Sequence, residues 1–148
     1  MQAPQGPAAP GTGRITDEAL AEIRATMGQE RPLRQFNTTA SEDTVRHYAL
    51  GAGDDNPRWI DPAYADRTRW GRIAPVTFVQ SCGFPRARGL PGVHGLFSGM
   101  DFRCHAPVRF GSKITATTAL HDLQERPGRF RGRQIQQVYA TYYRDQDG

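Results

Sequence analysis

Between Tyr48 and Pro62 the chain reads Tyr-Ala-Leu-Gly-Ala-Gly-Asp-Asp-Asn-Pro-Arg-Trp-Ile-Asp-Pro, and few backbones can follow that order. Upstream, Ser41, Glu42 and Asp43 form a helix start signal, with Val45, Tyr48 and Ala49 behind it at i, i+3, i+4 spacing. A helix therefore runs from Ser41 to about Leu50. Gly51 and Gly53 end it, because glycine permits a left-handed exit that other residues resist. Pro57 then pushes Asn56 toward an extended conformation. Pro62 opens a second short helix, Ala63 to Thr68, with Asp61 as its N-cap. The product is an elbow that holds the Asp54 carboxylate between two helices.

The rest of the chain is arranged around that elbow. Met1 to Gly13 is rich in Pro, Gly, Ala and Gln without a hydrophobic period and reads as a disordered tail. Thr16 to Met27 reads as a helix: Thr16 is the N-cap, Asp17 and Glu18 suit the positive end of the dipole, and Leu20, Ile23 and Met27 make an apolar stripe that Gly28 ends. Leu33 to Thr39 is a short strand candidate. Ile73 to Cys82 is apolar on most sides, the mark of a buried helix, and Pro75 confines its first turn to Ala74–Val76. An arginine- and glycine-rich loop, Arg86 to Gly92, follows. Three long strands are then expected, Val93–Cys104, Lys113–Gln124 and Phe130–Arg144, separated by turn signals at Ala106-Pro107, Phe110-Gly111 and Arg126-Pro127-Gly128. A buried helix followed by long antiparallel strands is an α+β layout with a sheet wrapped on one helix. Arg144 to Gly148 reads as a further turn.

Composition narrows the function classes. The 148 residues suit one domain with a single core, 14–148 after the tail. No apolar run approaches the ~20 residues needed to cross a membrane, and the N-terminus has no apolar signal-peptide core. A cytoplasmic, non-membrane protein is the expectation. Cys82 and Cys104 form no CxxC pair and no metal-ligand spacing, so they read as reduced, buried thiols and no metal is expected. Of the 19 basic residues only Lys113 is lysine. Arg58, Arg67, Arg69 and Arg72 cluster near the elbow and suit a phosphate or acidic partner. The arginines are otherwise dispersed, with no interleaved aromatic ladder, which argues against nucleic acid.

The elbow resembles the hydratase motif of the MaoC-like dehydratases, also called R-specific enoyl thioester hydratases. That motif runs roughly Gly-Asp-x-Asn-Pro-x-His-x-Asp, then an alanine-bearing helix, a glycine turn and the long helix of a hotdog fold. Gly53, Asp54, Asn56, Pro57, Asp61, Ala65 and Gly71 fall in register with it. Trp59 stands where the family has its catalytic histidine. The resemblance extends from about Leu33 to the C-terminus and implies an α+β hotdog fold, a long antiparallel sheet around one buried central helix. That fold normally continues into one more strand after a turn such as Arg144–Gly148. A chain truncated before its last strand is the favoured expectation, beside a strand that is absent or supplied from elsewhere.

The resemblance also implies a chemistry. The family adds water across the double bond of a trans-2-enoyl thioester, or removes it from a 3-hydroxyacyl thioester. Water must be deprotonated as it attacks carbon 3, a proton must reach carbon 2, and the thioester oxygen must be stabilised. By resemblance Asp54 is the catalytic aspartate, with Asn56 supporting the loop or a water. The N–H groups of Val76 and Thr77 would face the thioester oxygen, Pro75 having none, and Trp59, Trp70 and Arg72 would line the substrate. No cofactor is implied; the substrate rides on coenzyme A or an acyl carrier protein. Trp59 cannot act as a base, because indole N–H only donates. His47, His94, His105 and His121 are each isolated in positions where histidine is commonly a surface or core residue. Asp54 and Asn56, between Gly and Pro, are also ordinary turn residues.

Three functions remain open on the sequence. The first is the degenerate, His-lacking half of a paired dehydratase, which shapes the acyl pocket for a His-bearing hotdog partner. The second is a self-sufficient lyase that uses Asp54 on an unusual polyketide- or steroid-type acyl thioester. The third is a non-catalytic module whose Arg86–Arg88 loop docks an acyl carrier protein. The hotdog resemblance also implies a homodimer, or a heterodimer with a His-bearing hotdog partner.

Overall fold

The computed structural model describes residues 13–128 and 132–148. The expected tail, apart from Gly13, and the expected start of the last strand at Phe130 lie outside them. The described residues gather into two compact units. One takes the chain up to Glu30 with Arg86–Met100 and Ala119–Ala140; the other takes Arg31–Pro85, Asp101–Thr118 and Thr141–Gly148. A three-stranded sheet has the order β1 (Arg31–Pro32), β2 (Thr115–Gly128), β3 (Gly132–Arg144).

The first unit is built on α1, Asp17–Arg24. Thr16 caps it as expected, its hydroxyl accepting the Ala19 N–H at 3.2 Å. Leu20 and Ile23 are fully buried against Leu120 and Leu123. Met27 falls beyond the helix and is exposed, while Gly28 turns the chain at φ 71° and donates its N–H to Leu120 O. Arg133 pairs with both Asp17 and Glu125, and Arg24 with Glu125. The Arg133 partnership draws the Glu125 carboxyl below its usual range. The Arg86–Gly92 loop is latched here too. Arg88 pairs with Glu22 at 2.8 Å, its N–H donates to the Tyr139 hydroxyl, and its carbonyl accepts from Gln137.

In the second unit the expected strand at Leu33–Thr39 is mostly a ladder without regular strand geometry. β1 pairs antiparallel with β2, Arg31 opposite Thr118 and Pro32 opposite Thr117, and Leu33 N–H continues to Ala116 O. Further on, Ile114 N–H donates to Thr38 O and Thr39 bridges Lys113, in a shifted register. The Gln35 carboxamide spans the slip. Its Nε2 donates to Ile114 O at 2.8 Å and its Oε1 accepts the Ala116 N–H at 3.4 Å. A side chain thus satisfies backbone groups that the broken ladder leaves over. Along β3, Tyr139, Ala140, Thr141 and Tyr143 are partly buried, whereas Val138 and Tyr142 are exposed. Strand β2 runs on through Arg126-Pro127-Gly128, where a turn was expected.

Two expectations need larger correction. The buried helix begins where Pro75 places it, but it is a 3-10 helix, Val76–Cys82, rather than a long α-helix. Gly83, at φ 145°, stops it. Phe78 and Cys82 are fully buried with Ala40, Val45, Ala74 and Ile114, whereas Val76 and Thr77 are exposed. The expected strand Val93–Cys104 has no regular structure, and Leu96 is 83% exposed. A regular ladder is set by the partner strand, which a segment's own sequence does not specify. Cys104, on that segment, is accordingly exposed; Cys82 is buried, and both thiols are free. Burial pushes the Cys82 thiol up.

Candidate functional site

The elbow forms as its sequence dictates. Helix α2, Glu42–Gly51, is capped by Ser41, whose hydroxyl accepts the Thr44 N–H. Gly51 stays within the helix, and Gly53 alone makes the left-handed exit, at φ 71°. The Gly53 N–H donates to Leu50 O at 3.1 Å and the Asp54 N–H to Ala49 O at 2.9 Å. These two bonds are the paired closure of a Schellman motif, so the backbone position of Asp54 is set by the helix it follows.

The next residues make a turn that the sequence reading missed, the short helix α3, Pro57–Ile60. The missed signal is Asn56-Pro57, a cap residue before a proline at the first helical position. Asn56 Oδ1 accepts the Arg58 N–H at 3.0 Å. Asn56 is thus a cap, and its carboxamide oxygen is engaged by the loop. Asp61 caps α4, Pro62–Asp66, by accepting from Ala63 and Tyr64 N–H groups. Ala65 is buried beneath it.

Asp54 and Trp59 meet directly. The indole Nε1–H donates to Asp54 Oδ2 at 2.8 Å, and Asp54 Oδ1 accepts the Asn56 N–H at 3.2 Å. Each carboxylate oxygen thus takes a donor from its own loop. Trp59 thus contacts the aspartate as a donor that cannot take up a proton. Trp59 also packs against the Phe78 cluster, as do Tyr48 and Phe110.

Tyr48 couples the elbow to the 3-10 helix. Its ring meets Phe78 edge-on, with centroids 5.7 Å apart, and its hydroxyl donates to Thr77 O at 2.9 Å. Thr77 and Val76 therefore lie at an exposed helix start tethered to α2. Arg72 is occupied: its Nε and Nη2 fork onto the two Asp66 oxygens at 2.9 and 2.8 Å. That hydrogen bonding lowers the Asp66 carboxyl and raises Arg72. Trp70 is 40% exposed, with the Arg69 guanidinium 4.9 Å from its ring centroid.

The cavity at the elbow is small. It measures about 10 Å³ and is lined by Glu42, Arg46, Arg58, Trp59, Asp61 and Arg72, among others. Such a space holds about one water, whereas small-molecule sites span roughly 300–1,000 Å³. Arg58 Nε is buried at this place without a hydrogen-bond partner among the described residues. No group of three or more His, Cys, Asp or Glu among the described residues is placed to hold a metal. No described helix is long and apolar enough to cross a membrane.

Comparison with solved structures defines the class. A MaoC-like dehydratase from Rhodospirillum rubrum matches over 82% of this chain and 83% of its own, with 17% identity and a TM-score of 0.57. A chain of the ChsH1-ChsH2 complex from Mycobacterium tuberculosis matches over 88% and 82%, with 19% identity and a TM-score of 0.61. The fold is the α+β hotdog of the MaoC-like dehydratases and hydratases. No curated protein sequence matches this chain. The chain belongs to the family described as FAS1-like, dehydratase domain region, whose model matches residues 25–148.

Proposed function

We propose that this chain is the His-lacking hotdog half of a paired dehydratase acting on 3-hydroxyacyl and trans-2-enoyl thioesters carried on coenzyme A or an acyl carrier protein. The observation that carries the reading is the 2.8 Å hydrogen bond from Trp59 Nε1 to Asp54 Oδ2. A hydratase site needs a group that accepts a proton from water and a second that delivers one. Here the aspartate is held by two donors, and its partner side chain is a fixed donor. The pair stabilises a turn and has no second group for proton transfer.

The small cavity beside Trp59, with room for about one water, is not lined by Asp54, Val76 or Thr77. A second hotdog subunit, bearing the histidine, would complete the pocket against Trp59 and the exposed helix start at Val76 and Thr77. Structural likeness to a chain of the ChsH1-ChsH2 complex fits an arrangement of two subunits. The carrier-docking alternative loses support, because Arg88 is latched to Glu22 and Tyr139 within its own unit.

The test is hydration of a short trans-2-enoyl thioester, followed by loss of absorbance, with the wild-type chain, the Asp54→Asn variant and a His-bearing hotdog partner. No turnover by the chain alone, with turnover on adding the partner, is expected. Turnover by the isolated chain that Asp54→Asn abolishes would establish the self-sufficient lyase instead.

A further inference from the structure

We infer that the small cavity beside Trp59 binds one ordered water, which accepts the Arg58 Nε–H and donates to the Glu42 and Asp61 carboxylates. Arg58 acts through that water as a positioning residue for Trp59. The inference is independent of the thioester reading and concerns how the elbow is held.

Three observations meet at this place. Arg58 Nε is the one buried side-chain polar atom among the described residues that has no hydrogen-bond partner. A buried N–H without an acceptor forfeits the bond that it makes to solvent in the unfolded chain, so native folds pair such groups with protein or with ordered water. Arg58 lines a cavity of about 10 Å³, room for about one water. The same cavity is lined by two acceptors, Glu42 and Asp61. Both N–H groups that Asp61 caps go to its Oδ1, which leaves Oδ2 over. Glu42 enters no ion pair among the described residues.

The lining decides the ligand. Arg46, Arg58 and Arg72 repel a metal cation, and Glu42 and Asp61 repel a halide. The volume is too small for a phosphate or a carboxylate. Arg46 is already paired with Asp43, and Arg72 with both oxygens of Asp66. One donor and two acceptors remain. A neutral molecule that accepts once and donates twice satisfies all three, and water is the molecule of that size.

The consequence reaches Asp54. Arg58 and Trp59 are neighbours in α3, with the guanidinium carbon 6.0 Å from the Trp59 ring centroid, and the indole donates to Asp54 Oδ2. Glu42 opens α2 and Asp61 caps α4. A water bonded to Arg58, Glu42 and Asp61 cross-links three successive helices at one point beside the indole, and so fixes the direction in which that indole donates.

Nuclear magnetic resonance on the isotope-labelled full chain tests the site without substrate or partner. The Arg58 Nε–H is expected to show cross-relaxation with a water that outlasts molecular tumbling. Ala65→Val leaves Arg58 intact and fills the cavity from the buried Ala65 position, so this signal should vanish. Arg58→Met keeps the stem and removes the donor. Both variants should speed solvent exchange of the Trp59 indole N–H by roughly threefold to tenfold. Absence of a long-lived water at Arg58 in the wild type overturns the site. A water signal that persists in Ala65→Val places the water outside the cavity and overturns it too. Faster indole exchange in Arg58→Met alone assigns the effect to the guanidinium and overturns the water's part in positioning; unchanged exchange in both variants overturns the positioning role. The wild-type signal decides the site even where a variant fails to fold.

Discussion

The elbow, residues 48–66, forms most of the local structure expected of it, whereas the segment 93–104 does not form the strand expected of it. In the elbow every instruction is closed within a few residues. Ser41, Asn56 and Asp61 cap three successive helices, Gly53 makes the exit, and Asp54 accepts from residues two and five positions on. The segment 93–104 was expected as a strand, but a strand is completed only by a neighbour far away in sequence. Local patterns specify their own partners, whereas a strand-like stretch does not. Gln35 illustrates an intermediate case, in which a side chain mends a ladder whose register slips.

The contrast can be broken by substitution. Phe78→Ala removes the fully buried ring on which Tyr48 rests, and should cost about 3–5 kcal/mol in urea unfolding. Gly83→Ala should cost about 1–3 kcal/mol, because φ is +145° and the new Cβ would meet Leu33 Cβ at 3.3 Å. Trp59→Phe keeps a ring but removes the donor to Asp54; a loss of about 1 kcal/mol and faster amide exchange at Asn56 are expected. Leu96→Ser should change stability by less than about 0.5 kcal/mol. A loss as large as that of Phe78→Ala would show that 93–104 is a packed element, and the contrast would fall.

Tyr143 adds a pH test in the same core. Burial, with a smaller contribution from Cys82, pushes its phenol up to about 12, and its hydroxyl donates to Gly83 O at 2.6 Å. The folded chain therefore holds this proton more tightly than the unfolded chain. The stabilisation is complete below the ordinary tyrosine value near 10 and is lost as pH climbs toward 12. Denaturation midpoints should fall across that window in the wild type and more shallowly in Tyr143→Phe. Parallel slopes would mean that this phenol is ionised alike in both states.

Legibility followed the range of the interaction. Thr16, Ser41 and Asp61 were readable as caps because capping acts over two or three residues. The start of the buried helix was readable from Pro75, but its 3-10 character was not, since hydrophobicity does not record which carbonyl each N–H takes. The hydrogen bond between Asp54 and Trp59 was not readable, because it needs side-chain geometry. The Arg72–Asp66 fork was hidden for the same reason, six residues and one helix end apart.

The Schellman closure at Gly53 has a consequence for how such a chain can drift. The bond that places residue 54 is made by its main-chain N–H to Ala49 O, and every amino acid except proline brings that group. Exchange of the side chain at residue 54 is thereby partly uncoupled from collapse of the frame that carries it, and the contour of the turn is inherited through the main chain alone.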